Sequence, residues 1–247
     1  MNRFIMITWI ELKLFCRNFF NMFFGFLFPV GMLLLYGNIY GNQPTDYFGG
    51  FGTVDVSLPA YTCMIIAVTG LMSLPLTVAQ YRERKILKRF MATPMKPVDI
   101  LLSQVVVNFL MTVLGMVLLI ITAVIVFDLS FFGRLLPVLF SFLLITLCVF
   151  SLGLVIAGVS PNGKSASVLS YLVYFPMIFL SGSTMPIELM PKGLVAFSKV
   201  LPLSYGVELL KGVWLGGKPS SYITNILVLS GIFFVSLLTA IKSFKWE

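Results

Sequence analysis

Long apolar blocks alternate with short polar ones along the whole chain. Blocks at 20–38, 59–79, 100–127, 135–158, 167–182 and 222–241 are close to the length of helices that cross a bilayer, whose hydrocarbon core takes about 20 residues. Ahead of the first block, Ile5, Trp9, Leu12, Cys16 and Phe19 recur at spacings of four and three within residues 2–19, while Arg3, Lys13 and Arg17 project elsewhere. That pattern predicts an amphipathic helix lying in the membrane interface with Trp9 at headgroup level. Ile7, Ile10 and Leu14 interrupt its polar side, so the front end of one long first helix is the alternative. Pro29, inside the first block, is expected to kink that span or remove one hydrogen bond. Residues 183–221 depart from the plan. Apolar pieces of about ten residues alternate with Pro186, Pro191, Pro202, Gly212, Gly216 and Gly217, too short to span and suited to re-entrant helices. The expected fold is all-α. It is one integral membrane domain over 1–247, with six transmembrane helices, an N-terminal amphipathic interfacial helix (1–19), a cytoplasmic loop (80–99) and short re-entrant helices (183–221) before the last span.

Composition agrees. The 247 residues are 59% hydrophobic and 11% charged, against about 45–50% and about 25% in soluble domains. The net charge of +8 raises nucleic-acid binding, but the basic residues sit mainly in short stretches between apolar runs, a topology signal. With both termini inside, inner segments hold 12 Lys and Arg and outer segments 5. The three segments nearest the N-terminus hold three, none and six. Both termini are therefore expected in the cytoplasm. The N-terminal apolar character continues into the first span without a small-residue cleavage site, so no cleaved leader is expected. The chain has no histidine, which removes His-based triads and most zinc sites. Cys16, Cys63 and Cys148 are isolated and read as small apolar residues in or near helices.

One motif misleads. Residues 158–165 read Gly-Val-Ser-Pro-Asn-Gly-Lys-Ser, matching the phosphate-binding loop, and an apolar run ending in Asp128 mimics its magnesium ligand. That loop works only between a buried strand and a helix. Here the preceding segment is about 23 apolar residues, too long for a strand. Asp128 and Lys164 are separated by one full span and are expected about 30 Å apart on opposite faces. The expected reading is a cytoplasmic turn, with Lys164 as a positive-inside residue.

Residues 81–99 are the most charged stretch. Arg82, Glu83, Arg84, Lys85, Lys88 and Arg89 crowd together, Ile86, Leu87, Phe90 and Met91 supply an apolar side, and Thr93, Pro94 and Pro97 stop the helix. A basic loop holding anionic lipid is one reading; a short amphipathic helix docking on a cytoplasmic partner is the sharper one.

Arg82-Glu83-Arg84 followed by Met91-Ala92-Thr93-Pro94-Met95 resembles the first cytoplasmic loop of type-2 (ABC-2 type) membrane permeases of ATP-binding-cassette exporters. Leu180-Ser181-Gly182 with Pro186, and later Leu201-Pro202-Leu203-Ser204-Tyr205, are similar to that family's elements around its outer re-entrant helices. The resemblance covers essentially the whole chain. Lys85 stands where the family commonly has glycine, and Leu201 where it commonly has asparagine. The resemblance implies a transport subunit with no enzyme site or cofactor of its own, in the plasma membrane of a prokaryote. It would pair with a separate ATPase subunit that binds ATP and Mg, and with a second permease copy or homologue. Arg82, Glu83, Arg84, Lys85, Lys88 and Arg89 would contact the ATPase. The cargo would be a hydrophobic or amphipathic drug, antibiotic, peptide or lipid; a lipid-linked glycan is the close alternative. A partner-independent secondary transporter fits less well, for no span carries a clear central charge and no repeat is evident. An intramembrane enzyme lacks a catalytic constellation.

In the re-entrant region Pro186, Glu188, Pro202, Tyr205 and Glu208 are candidates. The two acids are functional by default if at membrane depth, or ordinary surface ion pairs near Lys192 and Lys211. Pro29, Tyr171, Tyr174 and Met177 are candidates for a substrate path, with plain helix packing as the alternative.

Overall fold

The computed structural model describes residues 3–86, 97–184 and 191–243. Its helices are α1 (Arg3–Arg17), α2 (Phe19–Met22), α3 (Phe28–Tyr40), α4 (Thr53–Ala67), α5 (Leu74–Glu83), α6 (Pro97–Phe127), α7 (Leu135–Val159), α8 (Gly163–Leu180), α9 (Lys192–Ser198), α10 (Pro202–Trp214) and α11 (Ile223–Ser243). The described residues contain no strand, only a single bridge between Thr45 and Phe51. Six continuous helical stretches are long and apolar enough to cross a membrane: Phe19–Tyr40, Thr53–Glu83, Val98–Phe127, Leu135–Val159, Gly163–Leu180 and Pro219–Ser243. Most boundaries fall within a few residues of those expected. The second span differs most, beginning at Thr53 rather than 59, with Pro59 inside the helix. Asp55, in its first turn, supplies the reason: its carboxylate is tied to neighbouring loops, so helix forms ahead of the proline.

Two spans are built in the same unusual way. A π-helical segment, Phe23–Leu27, leads into α3, and another, Val68–Ser73, leads into α5. Each is followed at once by a proline in the first turn of the next helix, Pro29 and Pro75. A proline lacks its amide N–H and crowds the carbonyl four residues back. Those carbonyls belong to Gly25 and Leu71, both inside the π segments, where the wider turn opens the ladder. At Pro29 the expected disturbance of the hydrogen-bond ladder coincides with the π segment just ahead of it.

The Thr53–Glu83 span is the hub of the bundle. Leu58, Cys63, Ile65, Ile66, Ala67, Leu71 and Leu74 are all fully buried. The other spans wrap it and turn apolar side chains outward, among them Ile125, Leu136, Leu172 and Ile241, as hydrocarbon solvent demands. Three buried hydroxyls are satisfied within their own helices: Thr62 donates to Leu58 O, Thr112 to Asn108 O and Thr146 to Phe142 O. The hub crosses α7 closely. A Cβ at Gly153 would collide with the Gly70 carbonyl, and one at Gly70 would lie 2.7 Å from the Phe150 ring; small residues at such a crossing let two helices approach.

Helix α1 packs on the bundle through a face distinct from its apolar stripe. Glu11 and Phe15 are buried, and Phe4, Thr8 and Leu12 are half-buried, whereas Ile5, Trp9 and Cys16 face outward. Of the stripe read from the sequence, Leu12 alone turns partly toward the bundle; the packing face is Phe4, Thr8, Glu11 and Phe15. Phe15 joins Phe26, Val107 and Met111 in a small separate core. Asn18 then breaks α1 from the first span and caps α2 by accepting from the amides of Phe20 and Asn21.

Candidate functional site

The charged residues at the end of α5 form the most connected polar site on the face that carries α1. Tyr81, Arg82 and Glu83 each reach a different element. The Tyr81 hydroxyl lies 2.8 and 2.7 Å from the two carboxylate oxygens of Glu11 on α1, donating to that buried acid. The Arg82 guanidinium donates to the carbonyls of Ala157 (Nη2, 3.1 Å) and Gly158 (Nη1, 3.4 Å) in the last turn of α7. Glu83 Oε2 accepts from the Gly163 amide at 2.8 Å, at the first residue of α8. A cation therefore sits on the carbonyl end of one helix and an anion on the amide end of the next, each matching the helix dipole it meets. Consecutive residues of α5 clamp the turn between α7 and α8 from both ends.

The local sequence explains the fit. Gly163 is required by space: a Cβ there would be 2.9 Å from Gln80 Cγ and 3.2 Å from the Glu83 carboxylate. Asn162 caps α8 by accepting from the Ser165 amide at 2.8 Å. Lys85 closes α5 with φ of 55°, the left-handed conformation that helix ends commonly give to glycine. Lys85 thus holds a conformation that glycine would adopt without strain. Arg84 and Lys85 are exposed. Arg84, Glu83 and Lys164 border an open cleft of about 320 Å³ between α5 and α8.

The phosphate-loop look-alike is accounted for by the same contacts. The segment before it is helix α7, Gly158 O accepts from Arg82, and the Gly163 amide that would meet a phosphate holds Glu83 instead. Asp128 and Lys164 lie at opposite ends of α7, a 25-residue helix about 37 Å long.

The opposite face has its own joint. Asn42 Oδ1 accepts from the amides of Val54 and Asp55, and its Nδ2 donates to Asp55 Oδ1 (3.1 Å) and Phe127 O (3.2 Å). Asp55 Oδ1 also accepts from the Ser130 amide. Asn42 had no sequence signal beyond its place in a glycine-rich loop; Glu11 had one, as the lone acid in the apolar run of residues 2–19.

The remaining candidates are dispersed. Lys88, Arg89, Pro186 and Glu188 lie outside the described residues. Pro202 opens α10, and the Tyr205 hydroxyl donates to Lys199 O. Glu208 is exposed and accepts from Asn225 Nδ2 at 3.0 Å. Tyr174 and Met177 are buried in the main core, Tyr171 is more than a third exposed, and Pro29 is buried on α3. Of these four, Tyr171 is the one with open surface.

Bundle and joints define a multi-pass helical membrane protein whose polar chemistry is concentrated where loops meet helix ends. The chain belongs to the ABC-2 type transporter membrane family, whose model matches residues 2–215. It is 27% identical over 184 residues to the "Probable multidrug ABC transporter permease YbhS" of Escherichia coli K12, covering 73% of this chain and 49% of that one. It is 23% identical over 201 residues to "ABC transporter G family member 20" of Dictyostelium discoideum, covering 80% and 27%. It is 32% identical over 66 residues to "Nodulation protein J" of Rhizobium leguminosarum bv. viciae, covering 27% and 26%. The chain spans about half the length, or less, of these curated relatives.

Proposed function

We propose that this chain is the membrane subunit of an ATP-driven exporter that moves a hydrophobic or amphipathic compound out of a prokaryotic cell, with ATP and Mg bound by a separate ATPase subunit. The α1 face is cytoplasmic. A second permease, identical or homologous, completes the pathway. The observation that carries this reading is the Arg82–Glu83 clamp. A push on the 80–99 segment reaches the ends of α7 and α8 through Arg82 and Glu83, and α1 through Tyr81. Arg84 and Lys85, free of the clamp, face the ATPase together with Lys88 and Arg89. The joint converts nucleotide-driven closure elsewhere into a rigid-body shift of spans, a two-state switch biased from outside. The multidrug label of the Escherichia coli relative supports an apolar cargo.

The test is ATP hydrolysis by the chain purified with and without its co-purifying ATPase. Activity confined to the complex, reduced by replacing Glu83 and Arg84, supports the assignment. Hydrolysis by the chain alone that Lys164→Ala abolishes would overturn it.

A further inference from the structure

Helix α10 starts deep in the bundle and climbs to the face opposite the clamp. Gly206 packs on Ile145, where an added Cβ would lie 3.1 Å from Cγ2. Ile145 is ten residues into α7, about 15 Å along its axis. Trp214, at the far end of α10, meets the Phe131 ring at 4.8 Å beside the loop before α7. Glu208 lies between these levels, within the depth that α7 spans. Its neighbours Leu209 and Leu210 are buried, yet its own side chain is exposed. A carboxylate at that depth is costly against hydrocarbon and belongs beside a watery path or a cation.

The carboxylate is held in place. Asn225 on α11, itself only 6% exposed, divides its amide between Glu208 Oε2 (3.0 Å) and Tyr205 O (3.1 Å). Both donor hydrogens are used, so the amide orients the acid without neutralising it. Among the described residues Glu208 forms no ion pair, and Lys211, three residues on, is itself engaged in an interaction. Tyr205, one turn before Glu208 on the same flank, is half-buried and anchored through its hydroxyl to Lys199 O. A fixed carboxylate beside an aromatic ring suits an organic cation with an apolar body, one group for the charge and one for the body.

We propose that Glu208, oriented by Asn225 and flanked by Tyr205, recognises the positive charge of an amphipathic organic cation on its way through the half of the bundle opposite the clamp. This rests on the transport reading, and it narrows the cargo to cations.

The experiment uses two ions of similar shape and opposite charge, tetraphenylphosphonium and tetraphenylborate. Saturable binding of each is measured by equilibrium dialysis on the chain with its co-purified ATPase, in the uncharged detergent dodecyl maltoside, without nucleotide. Wild type should bind the phosphonium. Glu208→Gln should weaken it by about tenfold and leave the borate unchanged or tighter. Asn225→Leu should weaken it less, and Glu208→Asp should retain most of it, with thermal midpoints showing that every variant is folded. No saturable phosphonium binding by wild type, or equal phosphonium affinity in wild type and Glu208→Gln, overturns the proposal. Because the measurement needs no hydrolysis, that failure leaves the exporter assignment standing, and failure of the ATPase assay leaves this site to its own result.

Discussion

The two polar joints of this protein solve similar problems with different chemistry. On one face a half-buried Asn42 amide and the buried Asp55 carboxylate knot three chain segments together through several shared hydrogen bonds. On the other, Tyr81, Arg82 and Glu83 fasten α5 to α1, α7 and α8 with side chains that, Glu11 aside, stay half-buried or exposed. A knot in which a buried carboxylate and one amide share several bonds is stiff, because losing the carboxylate leaves more than one donor without its partner. A clamp of charges on helix ends costs little to open, since water can take either partner's place. The first arrangement fixes a loop; the second can pass a movement on.

That contrast can be broken by substitution. The largest effect is expected from Asp55→Ala, which removes the acceptor of both Asn42 and Ser130 and should destabilise the folded chain by about 2–3 kcal/mol in a detergent unfolding assay. A loss below about 0.5 kcal/mol would show the knot to be loose. Next, Tyr81→Phe deletes the donor to the buried Glu11 and should lower stability by about 1–2 kcal/mol, whereas Glu11→Gln keeps an acceptor and should lose less. Equal losses would mean that packing, not the hydrogen bond, holds α1. Glu83→Ala should lower stability by under about 1 kcal/mol, the scale of a charge at a helix N-terminus, yet reduce ATPase activity of the complex several-fold. Comparable damage to fold and activity would erase the distinction between knot and clamp. Lys85→Gly relieves the left-handed backbone and should stabilise α5 by about 0.4–1 kcal/mol. Lys164→Ala should leave both stability and hydrolysis by the complex unchanged, within about 0.5 kcal/mol.

Much of the architecture was legible because membrane helices announce themselves by length and apolarity. The six spans fall close to the apolar blocks, and α7 separates Asp128 from Lys164 as the intervening block required. Which face of α1 packs on the bundle was not legible in the sequence. The apolar stripe through Ile5, Trp9 and Cys16 marks the outward face of α1, because in a bilayer apolar residues also seek the lipid, and hydrophobicity no longer tells inside from outside. Glu11, a polar residue, turned out to mark the packed face. Pro29 was readable as a disturbance, whereas Pro75 and the π segments ahead of both prolines emerge only from the backbone geometry.

What the sequence by itself determined is the solvent of this protein, the number and order of its spans, and the concentration of charge at 80–89, since each follows from local composition against a 30 Å apolar layer. Which helix is the hub, which carbonyls Arg82 meets, and that Glu83 rather than a phosphate occupies the Gly163 amide were decided by tertiary structure alone. The physical reason is that these pairs are 75 to 80 residues apart in the chain, and short-range hydrogen bonds at helix ends exist only once packing has brought those ends together.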